Sequence, residues 1–286
     1  MTNSIKIGTA GAGDLFYTKG YKHSGEVPEF LAGLGLTAFE YQCGRGVRIG
    51  EEKAKLLGDN ARTYNIALSV HAPYYISLTT LDPEKQKNNL RYLRESAHVA
   101  KLMGATRVVF HPGGAGKGVN RKEAFDIAYS ALSLIMDALN SDGYEDIFFC
   151  PETMGKINQL GDLQETLEFC NIGENMLPCI DFGHLNSRTH GSLKTIDDYE
   201  NLFEEIARGL GEEKAKKIHC HFSKIEYGQG GEKKHLTFSD TKYGPDYEPL
   251  LDMFLKNGGS PTIICESAGT QAEDAKVMAD YVRKYL

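Results

Sequence analysis

Apolar runs and charged, helix-periodic segments alternate eight times along this chain of 286 residues. The apolar runs cover residues 5–8, 38–42, 67–72, 107–112, 147–152, 178–184, 218–223 and 262–266. The helical candidates between and after them cover 26–34, 51–64, 83–103, 121–140, 163–171, 197–210, 247–256 and 271–285. Near-continuous apolar strands are what a parallel sheet buried on both faces requires. Eight strand–helix units in this length predict an α/β protein with a (β/α)8 TIM-barrel architecture. No linker-like stretch divides the chain, so one domain over residues 1–286 is expected. Helix punctuation agrees: Asp82 precedes Pro83 as an N-cap, Gly104 follows the third helix, and Asp197 opens the sixth. A doubly wound sheet is the alternative, but Gly8, Gly11 and Gly13 do not form the phosphate-binding fingerprint. The segment from Gly8 to Gly13 reads as a flexible first loop.

Several classes are excluded. No apolar run approaches the roughly 20 residues that span a bilayer. The stretch from Met1 to Gly8 has no apolar leader segment, which predicts a cytoplasmic protein. Six cysteines are scattered singly, with no paired thiolate motif, so buried reduced thiols are expected rather than disulfides or a thiolate zinc site. The net charge of −7 argues against holding nucleic acid by a broad basic face.

In this architecture the active site lies where the strands end. Six successive runs each deliver a metal-binding side chain there: His71, His111, Glu152, Asp181 with His184, His221, and Glu266. His235 follows in the loop after the seventh strand. Any one of these has an ordinary structural use, such as a capping Asp181 or an arginine-paired Glu152. Six on six consecutive strands point instead to a multi-metal site built from nitrogen and oxygen donors. His219 and His221 lie two apart and share a face, and His221, nearer the strand end, is taken as the ligand. His23, His98 and His190 have no such placement.

His71-x-x-Tyr74, His111-Pro112-Gly113, Pro151-Glu152-Thr153, Asp181-Phe182-Gly183-His184, His221-x-Ser223 and Glu266, in this order, resemble the endonuclease IV family of abasic-site endonucleases. The resemblance implies Zn²⁺, two or three per chain with Mn²⁺ as the alternative. His71, His111 and Glu152 would hold the first ion. Glu152 would bridge to a second, completed by Asp181, His221 and Glu266, and His184 and His235 would hold a third. It also implies a monomeric DNA-repair phosphodiesterase that cleaves 5′ to abasic sites in damaged double-stranded DNA by a metal-activated hydroxide. Glu152, Glu266 and Tyr74 would be the catalytic groups. One departure stands out: the family has Asp-x-His after strand seven, whereas this chain reads Glu232-Lys233-Lys234-His235, with Lys233 in place of the aspartate. Arg45 and Arg48 in the second loop are the candidates for contacting DNA. Three Zn²⁺ would offset most of the negative charge. A single-metal sugar isomerase or epimerase of the xylose isomerase-like type is the rival reading, using Glu152, Asp181, a strand-seven histidine and Glu266. A metal-stabilised binding module is a third.

Overall fold

The apolar runs form strands β1 (Lys6–Ala10), β2 (Ala38–Gln42), β3 (Ala67–His71), β4 (Arg107–Phe110), β5 (Phe148–Pro151), β6 (Cys179–Asp181), β7 (His219–Phe222) and, after an inserted pair β8 (Ile225–Gly228) and β9 (Gly231–His235), β10 (Thr262–Cys265). The computed structural model describes residues 5–116 and 118–285. Residues 1–4, part of the leader reading, lie outside that range. The eight barrel strands are all parallel, in the order β5-β4-β3-β2-β1-β10-β7-β6. The two ends of this sheet meet through single bridges, Phe149 to Met176 and Glu152 to Cys179. The Thr153 amide adds a hydrogen bond to the Cys179 carbonyl at 3.0 Å. The sheet is thereby nearly closed into a TIM barrel, with side chains filling its interior.

The helices are α1 (Gly13–Thr18), α2 (Val27–Gly33), α3 (Glu51–Thr63), α4 (Pro83–Met103), α5 (Arg121–Ser141), α6 (Leu163–Phe169), α7 (Phe182–Arg188), α8 (Ile196–Leu210), α9 (Glu212–Ala215), α10 (Glu248–Asn257) and α11 (Gln271–Arg283). Asp82 caps α4 by accepting from the amides of Glu84 and Lys85, and Gly104 ends it at φ 73°. Both were legible from residue type alone. Thr195, not Asp197, caps α8, in a reciprocal box with Asp198. Gly8 sits where β1 crowds β2: a Cβ there would lie 1.8 Å from the Ala38 carbonyl oxygen. All six cysteines are buried and unpaired. Among the described residues, no helix is long and apolar enough to cross a membrane.

Three expectations need correction. The segment from Gly8 to Gly13 is not a loop, because Gly8 to Ala10 complete β1 and Gly13 opens α1. The sixth apolar run is a strand only to Asp181. The Asp181 side chain then accepts the His184 amide at 2.7 Å and starts α7. The loop after strand seven is the antiparallel hairpin β8–β9.

Candidate metal centre

The strand ends converge as the alternation requires. His71 closes β3, Asp181 closes β6 and His221 lies on β7, while His111, Glu152 and Glu266 follow β4, β5 and β10 by one residue. His184 stands in the first turn of α7, and His235 ends β9. Parallel register with a two-residue side-chain period aims these groups at one point above the barrel.

Glu152 is the hub and is 1% exposed. Its Oε2 lies 3.1 Å from His71 Nε2 and 2.9 Å from His111 Nε2. Its Oε1 lies 3.2 Å from His184 Nδ1 and 3.4 Å from His221 Nδ1. Burial alone would raise this carboxyl, but the surrounding imidazoles, His111 first, hold it well below the usual carboxylate range. The histidines respond in the opposite sense. Burial opposes charging His71, yet the hydrogen bond and charge of Glu152 push it up to about 9. Burial likewise opposes charging His184, and Asp181 and then Glu152 raise it to about 10.

Among the described residues five groups of donors are spaced to hold ions: His71, His111 and Glu152; Glu152, Asp181, His221 and Glu266; His184, Glu232 and His235; and two fully buried ones, Glu40 with His71 and His221, and Cys179 with His219 and His221. Within each group the ligand atoms lie within 4.8 Å of one another. Two observations fit a bound divalent ion. Asp181 Oδ2 is buried and accepts no hydrogen bond, a costly state for a carboxylate oxygen unless a cation meets it. The histidines also have their rear nitrogens engaged: His71 Nδ1 lies 2.9 Å from the Ala72 carbonyl and His184 Nδ1 2.9 Å from the Thr153 carbonyl. A carbonyl only accepts, so each Nδ1 carries the proton and each Nε2 offers its lone pair. The donors are imidazoles and carboxylates, the set that suits Zn²⁺ or Mn²⁺.

The Lys233 departure is resolved by the hairpin. Tyr227 pairs with Glu232 and Glu226 pairs with Lys234, so Lys233 is the extra residue of a β-bulge. One bulged residue shifts side-chain parity along the strand. Glu232 and His235, three apart, therefore share the inner face. Glu232 Oε2 lies 3.4 Å from His184 Nε2, and Glu232 Oε1 lies 3.9 Å from His235 Nε2. Lys233 and Lys234 are exposed and both reach Glu226, at 3.3 and 3.4 Å. Glu232, not residue 233, is the carboxylate that the hairpin brings beside His184 and His235.

The ligands open into a cavity of about 380 Å³ that also meets Gln42, Tyr74, Lys156 and Gln159. Tyr74 is 48% exposed at its rim, and its hydroxyl accepts from Arg45 Nε at 2.9 Å. Neither Arg45 nor Arg48 lines the cavity, and both are exposed. A larger groove of about 600 Å³ between α4 and α5 is remote from these donors and mainly apolar. Sequence reading passed over Glu40, a buried carboxylate on β2 beneath the ligands, although a glutamate inside an apolar strand was a signal. It also passed over Lys156 and Gln159, which sit on the loop that follows Glu152.

Over 271 residues the chain is 33% identical to an uncharacterized protein of Methanocaldococcus jannaschii, covering 93% of this chain and 96% of the relative. A probable endonuclease 4 of Mycoplasma genitalium is 31% identical over 175 residues. That match covers 58% of this chain and 57% of the relative, so it spans little more than half of either. Endonuclease IV from Thermus thermophilus superposes with a TM-score of 0.65 at 17% identity, over 92% of this chain and 93% of the other. A D-tagatose 3-epimerase-like protein superposes with a TM-score of 0.63 at 20% identity, over 87% and 89%. At such identities the superpositions speak for the fold alone. The profile of the xylose isomerase-like TIM barrel family matches residues 28–285, and this chain belongs to that family.

Proposed function

We propose that this protein is a metal-dependent phosphodiesterase of the endonuclease IV type, acting at abasic sites in double-stranded DNA as a cytoplasmic monomer. The observation that carries the reading is the outer group of His184, Glu232 and His235, whose ligand atoms lie within 4.8 Å of one another. A single-metal enzyme needs only the quartet of Glu152, Asp181, His221 and Glu266. His71, His111 and the outer group are then surplus, whereas a centre of two or three Zn²⁺ or Mn²⁺ ions uses all of them.

Bound ions would activate water and offset charge on the entering and leaving oxygens of an in-line displacement. The chain's own groups do the rest. Glu152, shared by two of the inner donor groups, would hold ions in both. Glu266, which lines the cavity, would take the proton of the attacking water. Tyr74, already accepting from Arg45, keeps its own O–H free to donate to a phosphate oxygen at the rim. Arg45 and Arg48 offer charge outside the cavity for the DNA backbone. An abasic nucleotide has no base to unstack, so little energy opposes its turning into a cavity of this size.

A sugar epimerase is the second reading, favoured by the compact quartet around Glu152 and Asp181. There the two glutamates would move a proton at the carbon beside a carbonyl. One experiment separates them: elemental mass spectrometry of the purified protein, followed by incubation with abasic-site duplex DNA and with ketoses. Two or three zinc ions with nicking 5′ to the abasic site support the phosphodiesterase. A single ion with ketose turnover and no nicking overturns it.

A further inference from the structure

Beneath the ligands, inside the barrel, Glu40 is 0% exposed; it is spaced to share an ion with His71 and His221, but with none of the carboxylates Glu152, Asp181 and Glu266. Three hydrogen-bonding partners converge on it, and a ring nitrogen of His221 lies close by. Ser69 Oγ donates to Oε2 at 2.9 Å and Gln42 Nε2 to Oε1 at 3.0 Å. His219 Nε2 lies 2.8 Å from Oε2. His221 Nε2 stands 3.0 Å from Oε1, off the line of a hydrogen bond and without another.

The proton positions follow from the partners. Arg107 Nη1 lies 3.3 Å from His219 Nδ1, and a guanidinium only donates, so that nitrogen accepts. The His219 proton is therefore on Nε2, directed at Glu40. Both lobes of the Glu40 carboxylate thus meet donors, and an ionised carboxylate is an acceptor alone. Cys179 also lies beside the His221 ring, but sulfur is a weak acceptor next to a carboxylate. The opposite nitrogen, His221 Nδ1, faces Glu152 and Glu266 at 3.4 and 3.5 Å.

We infer that Glu40 is a positioning residue: it holds the proton of His221 on Nε2 and so presents the Nδ1 lone pair to the inner metal site. His71 and His184 obtain the same service from backbone carbonyls. His221 obtains it from a carboxylate carried on β2, which, like β1, supplies no ligand. Such carboxylate partners orient an imidazole and raise its basicity. A chain of contacts then runs from Arg107 at the foot of β4 through His219 and Glu40 to the metal-facing nitrogen.

This inference rests on the metal-centre reading, and its test separates the two. Wild-type protein and Glu40→Gln would be titrated with Zn²⁺ and with Co²⁺, reading affinity for each ion and the visible Co²⁺ spectrum. In Glu40→Gln an amide N–H₂ replaces one acceptor and confronts a donor. The expected result is a roughly 10- to 100-fold weaker inner ion, an altered Co²⁺ band, and unchanged affinity at the His184–Glu232–His235 group. Wild-type-like affinity at every site would overturn the role of Glu40 alone. An equal loss at every site would overturn it too, since that is a general collapse. A wild type that takes no ion at all would overturn both readings. In case the variant fails to fold, long-range ¹H–¹⁵N correlation on the zinc-loaded wild type reads the His221 ring directly. A proton on Nε2 is expected, and a proton on Nδ1 would overturn the inference.

Discussion

The inner and outer parts of the candidate metal centre are held by different means. Glu152, Asp181 and His221 are at most 1% exposed and lie on or directly after strands of the eight-stranded sheet, each locked in register by parallel neighbours. Glu232 and His235 ride on a two-stranded hairpin beside the barrel, and their side chains are 14% and 26% exposed. The inner groups inherit their geometry from the fold. The outer pair depends on one bulged residue in a short ribbon. The comparison teaches that a ligand set on barrel strands tolerates no slip in register, while a set on a rim hairpin can change its sequence spacing and keep its geometry.

The sharpest way to break the comparison is at the hub. Glu152→Gln leaves four imidazoles facing a neutral amide. We expect loss of the inner ions and a fall in activity of about 10,000-fold, as when one member of a catalytic unit is removed. The metal-free variant should also lose about 3 kcal/mol of stability, because the partner charges stay buried without their counter-charge. Metal content and urea unfolding check both. Glu232→Ala, by contrast, should release only the outer ion and leave stability within about 1 kcal/mol, as for a partly exposed group. If it strips all ions, the outer group is not a separate unit.

A third prediction concerns pH. His71 is raised to about 9 and His184 to about 10 in the folded, metal-free protein, against about 6.5 in an unfolded chain. Between those values the folded state holds protons that the unfolded state has released, so stability falls as pH rises. The contribution is complete below about pH 6.5 and is lost through pH 9 to 10. Urea midpoints in chelator at pH 6.5, 8 and 9.5 should decline in that order, and saturating zinc should remove the decline by displacing those protons. Midpoints that rise with pH in chelator would sink this account.

The contrast also explains what could be read from the chain. Barrel strands announce themselves, since a segment such as Arg107 to Phe110 must be apolar throughout to be buried on both faces. The candidate ligands at their ends were therefore legible as a converging set from residue type and position. α7 was missed because the apolar Phe182 continues the strand pattern and Asp181, whose capping use was open from residue type, reads first as a strand-end ligand; its side chain accepts the His184 amide three residues on. The hairpin was missed because its strands are polar and carry no core-facing alternation; its register follows from pairing rather than composition. Glu40 was missed because its partners, Ser69, His219 and His221, lie 29 to 181 residues away.

The smallest expected effect is the most pointed test of the outer pair. If residue 233 occupied the ligand position, Lys233→Asp would restore a missing carboxylate and strengthen the outer ion. The bulge places residue 233 outward instead, so this variant should leave affinity for that ion unchanged within about threefold. Its cost should come only from exchanging the exposed Lys233–Glu226 pair for a like-charge contact, under about 1 kcal/mol at an exposed site. Deleting Lys233 makes the complementary change. It removes the extra residue and brings Glu232 and His235 to the two-residue spacing that an unbulged strand puts on one face. The outer ion should therefore survive the deletion. An inserted alanine after Lys233 flips the parity once more, turns His235 outward, and should abolish the outer ion while the inner ions stay bound. Retention of the outer ion in the insertion variant, or its loss in the deletion variant, would show that the bulge does not set this geometry.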